Sequence, residues 1–259
     1  MTDSLIVEVS AGIAACTLNR PARLNALDRE LRDAIIAALA RAAEDPAVRV
    51  VTFTGAGERA FCAGQDLNES ATLGDAGEGD WIGSWRRFFA AFLDFPKPMI
   101  ASLNGVTAGG GLEIAMMCDI RLAVPEARLI VAEIDVGLPT ILGGHWLAAL
   151  VFDSRALEMV LTGRSVMADE ARNIGLVHEV VPGAELAART RALAAGLAAK
   201  PSRAMALNVR RFRELRRAAM ERDGVYEALV EYQREAVASG EPGRVMQEFL
   251  AARARRRST

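Results

Sequence analysis

The stretch NGVTAGGGLEIAMMCDIRLA, residues 104–123, carries a strand-to-helix crossing in unusual detail. Gly109, Gly110 and Gly111 open the apolar run LEIAMMC (112–118), and IRLAV (120–124) follows as a strand. Three glycines at such a crossing let another group approach the backbone closely. The helix start behind them offers amides that have no intrahelical acceptor. The spacing matches neither GxxxxGK[ST] nor GxGxxG, so a nucleotide phosphate loop is not supported. Glu113 lies two residues past the triplet, where a carboxylate complements the helix dipole. Its neighbours Leu112, Ile114, Ala115 and Met116 are apolar, however. Burial among them raises a carboxyl pKa towards the range of an acid or base at neutral pH.

Outward from this stretch, short apolar segments alternate with helical periodicity. MIASLNG (99–105) reads as a buried strand preceded by Pro96 and Pro98. VRVVTFTG (48–55) reads as another, ended by Gly55-Ala56-Gly57. LIVEV (5–9) and IAACTL (13–18) flank the turn at residues 10–12. Asp28 is the expected N-cap of a helix running through Ala43, with Leu31, Ile35, Ala38, Leu39 and Ala42 on one face. Residues 70–80, with Gly74, Gly77 and Gly79 among acids, read as a loop. RLIVAEI (128–134) reads as a strand interrupted by Glu133. That acid is either an edge-strand gatekeeper or the partner of Glu113 in a paired-carboxylate site. Beyond Val181 only helices are expected, over 183–199, 202–218, 223–238 and 242–257. The pattern is that of an α/β fold. It divides into a core over 1–200 that holds the site and a helical region over 201–259.

FCAGQDL (61–67) is the third informative segment. Its small residues at 62–64 leave the Ala63 N–H accessible, so Ala63 and Gly110 together form a candidate oxyanion hole. Cys62 is disfavoured as a nucleophile because neither His145 nor His178 is near it in sequence. Three cysteines and two histidines show no disulfide framework and no zinc spacing. With 259 residues, 51% of them hydrophobic, the chain can bury a large core, which excludes a mainly disordered protein. No apolar run reaches transmembrane length and the start is unlike a signal peptide, so a cytoplasmic protein is expected. The net charge of −2 excludes a generally basic nucleic-acid binder. From Pro201 onward, however, 13 arginines face 8 acids. That basic part is either a solvated helical face or a grip for phosphates.

These motifs carry a resemblance. NRPARLNALDREL (19–31), AFCAGQDLNE (60–69), residues 104–123, AEIDVGL (132–138) and MADEARNIGLVHEVVP (167–182) resemble, in order, the enoyl-CoA hydratase/isomerase (crotonase) superfamily. The resemblance implies a spiral of ββα units followed by a helical C-terminal region that assembles trimers or dimers of trimers. It implies an acyl-CoA thioester substrate, an enolate held by the amides of Ala63 and Gly110, and no cofactor beyond the coenzyme A of the substrate. Ala22, Leu24, Ala26, Gly64, Gln65, Asp66 and Leu67 would line the CoA channel beside Ala63 and Gly110. Family hydratases keep both glutamates, here Glu113 and Glu133; enoyl isomerases generally keep only the second. Dienoyl isomerases add an aspartate where this chain has Ile141.

The expectation is therefore an enoyl-CoA hydratase. The alternatives are another reaction of the family, either double-bond isomerisation or acyl-CoA hydrolysis, and a non-catalytic RNA-binding use of the fold. Residues 137–144 depart from the family's GxxPGxGG pattern, and His145-Trp146 replaces its common Thr-Gln. Asn208 stands where many members place a lysine near CoA, which leaves the arginines of the terminal helices as the expected phosphate contacts.

Overall fold

β1 (Leu5–Ser10) and β2 (Ile13–Leu18) form an antiparallel hairpin, from Leu5 opposite Leu18 to Ser10 opposite Ile13. Ala11 and Gly12 take the turn with positive φ of 49° and 80°. β2 then leads into a parallel series: β3 (Val50–Gly55), β5 (Met99–Leu103), β7 (Ile120–Ala123) and β10 (Glu179–Val180), in the order β1-β2-β3-β5-β7-β10. Every residue of β5 is buried, as expected for a parallel strand covered on both faces. The computed structural model describes residues 3–70 and 78–255.

A second sheet holds β4 (Ala60–Cys62), β6 (Val106–Ala108), β8 (Arg128–Ile130) and β9 (Val166–Met167), in that order. The two sheets share a rule. β3 and β4 precede α2 (Leu67–Ser70) and α3 (Glu78–Asp94); β5 and β6 precede α4 (Gly110–Met117); β7 and β8 precede α5 (Leu142–Val151). The first strand of each pair joins the six-stranded sheet and the second joins the four-stranded one. The result is a spiral of ββα units, the fold class expected from the sequence.

α1 (Arg29–Glu44) starts as its sequence requires. The Asp28 carboxylate accepts the Leu31 N–H at 2.9 Å, which satisfies one of the orphan donors of the first turn. Leu31, Ile35 and Leu39 are fully buried along one face, and α1 packs on α3.

Two expectations fail here. RLIVAEI stays a strand only to Ile130, because β6 pairs no further than Ala108–Ile130 and β9 covers only Arg128 and Leu129. Without a ladder the chain turns on itself. Glu133 (φ −62°, ψ −39°) precedes a 3-10 turn at Ile134–Val136, and its carbonyl accepts the N–H of Val136 and of Leu138. Glu133 is therefore neither within a strand nor a gatekeeper. The loop reading of 70–80 fails at both ends, since Ser70 closes α2 and α3 already begins at Glu78; residues 71–77 lie outside the described part. Trp85, Phe88, Phe89 and Phe92, buried at helical spacing, outweigh the glycine at 79.

α6 (Asp153–Thr162) and α7 (Ala168–Asn173) lead to the expected helical end: α8 (Gly183–Ala198), α9 (Ser202–Arg222), α10 (Val225–Ala238) and α11 (Glu241–Arg255). α8 covers the six-stranded sheet, with Thr190 and Ser102 hydroxyls 2.9 Å apart. Arg213 ties α9 to Asp119 at 2.9 Å. α10 returns to α5, and α11 to the turn at 134–136. Among the described residues no helix is long and apolar enough to cross a membrane.

Candidate active site

A cavity of about 830 Å³ is bounded by the start of α4, the turn after β4, the loop before α5, and helices α3, α10 and α11. Glu113, Glu133, Ala63, Gly110, Ala22, Leu24, Ala26, Gly64, Gln65, Asp66 and Leu67 all line it. The residues expected for catalysis and for CoA binding therefore share one cavity.

The two acids reach it from different supports. Glu113 stands in the first turn of α4 and accepts the N–H of Gly143, the second residue of α5. A Cβ at Gly143 would sit 2.8 Å from Glu113 Oε1, so any side chain there displaces the carboxylate. Glu133 hangs from its 3-10 turn, where the Thr140 hydroxyl lies 3.4 Å from its Oε2. Burial, and then the neighbouring Glu133 charge, pushes the Glu113 carboxyl up to about 8. Burial also pushes Glu133 up from the usual carboxylate range. At neutral pH such a pair retains a proton, so it presents an acid and a base together.

The amides are less symmetric than expected. Gly110 is the first residue of α4, so its N–H has no intrahelical acceptor. Ala63, by contrast, donates its N–H to the Leu24 carbonyl at 3.0 Å, which corrects its assignment as the second cavity donor. The reason is a short parallel bridge in which the chain at 63–66 lies along residues 24–27. Leu27 N–H bonds Gly64 C=O at 2.8 Å, and Asp66 N–H bonds Leu27 C=O at 3.0 Å. That pattern directs the intervening Gln65 amide away from Leu27.

Below the bridge a charge cluster locks the two halves of the expected CoA channel. Arg20 reaches Asp28 at 2.7 Å, Asp66 at 2.9 Å and the Ala26 carbonyl. Burial would raise the Asp66 carboxyl, but hydrogen bonds from Asn68 and Arg20 hold it below the usual range. Cys62 lies behind this layer with its thiol pushed up to about 12 by burial, which removes the thiolate that nucleophilic work needs. Arg23 and Arg59 are exposed cations lining the cavity. Among the described residues, the terminal helices line this cavity with Leu229, Gln233, Met246 and Phe249.

The aromatic wall escaped sequence reasoning. Trp81, Trp85 and Phe89 of α3 line the cavity, with Trp85 and Phe89 stacked at 5.4 Å and 27°. Arg32 lies over the Trp85 ring at 4.7 Å. A Cβ on Gly110 would come within 2.9 Å of Trp85. The available signal was the spacing of Trp81, Trp85, Phe88, Phe89 and Phe92, which lies just past the glycine-rich segment that reads as a loop.

Comparison with known proteins agrees with this geometry. The model of the enoyl-CoA hydratase/isomerase family matches residues 8–249. An (E)-benzylidenesuccinyl-CoA hydratase of Thauera aromatica is 36% identical over 193 residues, 74% of this chain and 75% of the relative. A 1,2-epoxyphenylacetyl-CoA isomerase of Escherichia coli is 35% identical over 208 residues, covering 78% and 79%. The crystal structure of an enoyl-CoA hydratase from Mycobacterium avium subsp. paratuberculosis superposes with a TM-score of 0.84 at 30% identity, over 95% of this chain and 99% of that one. The chain belongs to the enoyl-CoA hydratase/isomerase family, whose substrates are acyl-CoA thioesters.

Proposed function

We propose that the protein is an enoyl-CoA hydratase, adding water across the 2,3 double bond of an enoyl thioester. The observation that carries this reading is the pair Glu113 and Glu133, two half-buried carboxylates on one cavity with both pKa values raised. The pair holds one water between its members. The charged carboxylate takes a proton from that water as its oxygen bonds to Cβ, and the protonated partner delivers a proton to Cα. The charge that develops on the thioester oxygen is met by the Gly110 amide, helped by the positive end of α4. Gln65, whose amide is turned away from Leu27, supplies the second donor in place of Ala63. Ala22, Leu24, Ala26 and residues 63–67 hold the CoA moiety, with Arg23 and Arg59 beside its phosphates.

The helical region from about residue 201 has two tasks in this reading: α10 and α11 wall the cavity, and the region assembles copies of the chain. Support for assembly comes from apolar side chains of this region left exposed on the single chain, including Phe212 at 64% and Leu215 at 45%. The direct test of the reaction is crotonyl-CoA. Loss of its enoyl absorbance with formation of the 3-hydroxyacyl thioester is expected. Absorbance that persists while the double bond migrates in a 3-enoyl substrate would make the protein an isomerase.

A further inference from the structure

One short segment braces both acids. Gly143 gives its N–H to the Glu113 carboxylate, and three residues earlier Thr140 directs its hydroxyl at Glu133 Oε2, 3.4 Å away. The other carboxylate oxygen of Glu133 has a fixed neighbour too, since a Cβ on Gly109 would lie 3.1 Å from Oε1. The carboxyl group is thus bracketed between the glycine triplet on one side and Thr140 on the other. The segment itself has little freedom. The Glu133 carbonyl accepts the Leu138 N–H at 3.0 Å, Pro139 has its φ set by its ring, and α5 begins at Leu142. Threonine is branched at Cβ and holds few χ1 rotamers, so its hydroxyl stays aimed. Thr140, Glu113 and Glu133 all line the cavity.

Burial raises the Glu133 carboxyl, and three donors work against it: its own amide, the Thr140 hydroxyl and the Ala132 amide. Thr140 is the only side chain of the three. A hydroxyl can serve either protonation state, but its bond to a charged carboxylate is the stronger. Besides Glu113, the other charged side chains on the cavity, among the described residues, are Asp66, already held by Arg20, together with Asp135, Arg23 and Arg59. The residues of α3, α10 and α11 that line it are uncharged. We propose that Thr140 is a positioning residue of the reaction, whose hydroxyl orients the Glu133 carboxylate against the glycine triplet and favours its charged form. The proposal rests on the hydratase reading only in that Glu133 is one of the reacting acids.

Thr140→Val removes the hydroxyl at almost constant shape, and Thr140→Ser restores it. An infrared pH titration of the carboxyl stretch, with Glu133→Gln to assign the Glu133 band, needs no turnover. The Glu133 midpoint is expected to rise by about one pH unit in Thr140→Val, the effect of one lost hydrogen bond to a charged group, and to return in Thr140→Ser. Crotonyl-CoA hydration is followed on the same proteins. In Thr140→Val kcat should fall about tenfold with KM nearly unchanged, and the acidic limb of the pH profile should move up with the midpoint. Thr140→Ser should recover most of the rate. A midpoint that stays in place overturns the proposal, as does an unchanged kcat or a loss carried by KM. A parent that hydrates no enoyl thioester loses the hydratase reading, and the infrared midpoint alone then decides whether Thr140 holds Glu133.

Discussion

Glu113, Glu133 and Gly110 come from one continuous stretch of chain around α4, whereas Trp81, Gln233 and Phe249 come from three helices that meet only in the folded molecule. The first group depends on local backbone devices: a glycine helix start, a 3-10 turn after a strand that loses its ladder, and a glycine at 143 that leaves room for a carboxylate. The second depends on α10 and α11 folding back against α5 and the 134–136 turn. The two acids and the aromatic wall thus rest on different supports, with Gly110 against Trp85 as a point of contact, so substitutions at the acids should leave the wall readable.

The strongest way to break that separation lies in the acids. Glu113→Gln and Glu133→Gln should each lower kcat by about 10²–10⁴-fold while thioester affinity, a property of the wall and channel, stays near normal. Steady-state kinetics beside calorimetry decide this. Full hydratase activity in Glu113→Gln would remove the hydratase reading, and a large loss of affinity would show that the two regions are not separable.

Next in size is the Gly110 amide. Proline is tolerated at the first position of a helix but has no N–H, so Gly110→Pro should cost roughly 10²–10³ in rate. Gly110→Ala is not a neutral control, because its Cβ meets Trp85 at 2.9 Å. The comparison should therefore be made with both variants in a Trp85→Phe background, with folding checked by circular dichroism. Equal rates for the proline and alanine forms would move the oxyanion site elsewhere.

Gly143→Ala sharpens the comparison from the side of the supports. The added methyl presses on Glu113 without touching the wall, so kcat should fall about tenfold with KM nearly unchanged, a small misplacement of a reacting group. A rise in KM with constant kcat would place Gly143 in binding instead.

The acid pair also sets a pH dependence. As pH rises past about 8 the last proton leaves Glu113 and hydration should decline. Stability follows the same group. Its carboxyl is near 4.5 when unfolded and raised when folded, so its stabilising effect is complete below about 4.5 and is lost as pH rises through about 8. The melting temperature of Glu113→Gln relative to the parent should therefore climb between those limits. A constant difference would mean that Glu113 is not held protonated. The smallest intrinsic effect is expected at Phe212→Ser, within about 0.5 kcal/mol for an exposed side chain. If that face joins copies, the same substitution lowers the mass seen by sedimentation; an unchanged mass would place the assembly surface elsewhere.

Much of the molecule is legible in the order of its residues, for reasons tied to short range. The β1–β2 hairpin, the Asp28 cap and the buried β3 and β5 follow from turn chemistry, one side chain and unbroken apolar runs. The glycine triplet and the two glutamates stand out because each breaks a local rule, flexible residues at a crossing and acids amid apolar neighbours. α3 was hidden by the glycines before it, and β4 and β6, three residues each, are too short to show a period.

Residue order by itself therefore determined the alternation of strands and helices, the helical end and the two candidate acids, since these rest on patterns within short segments; the ββα spiral was implied by the resemblance of the motifs. Only the tertiary structure decided three further points. It showed that Glu133 hangs from a turn because its strand runs out of partners. It showed that Ala63 gives its N–H to Leu24 because two distant segments lie side by side. It showed that Trp81, Trp85 and Gln233 share one wall. Each of these depends on which distant backbone or helix face arrives alongside, and no periodicity within a single segment encodes that.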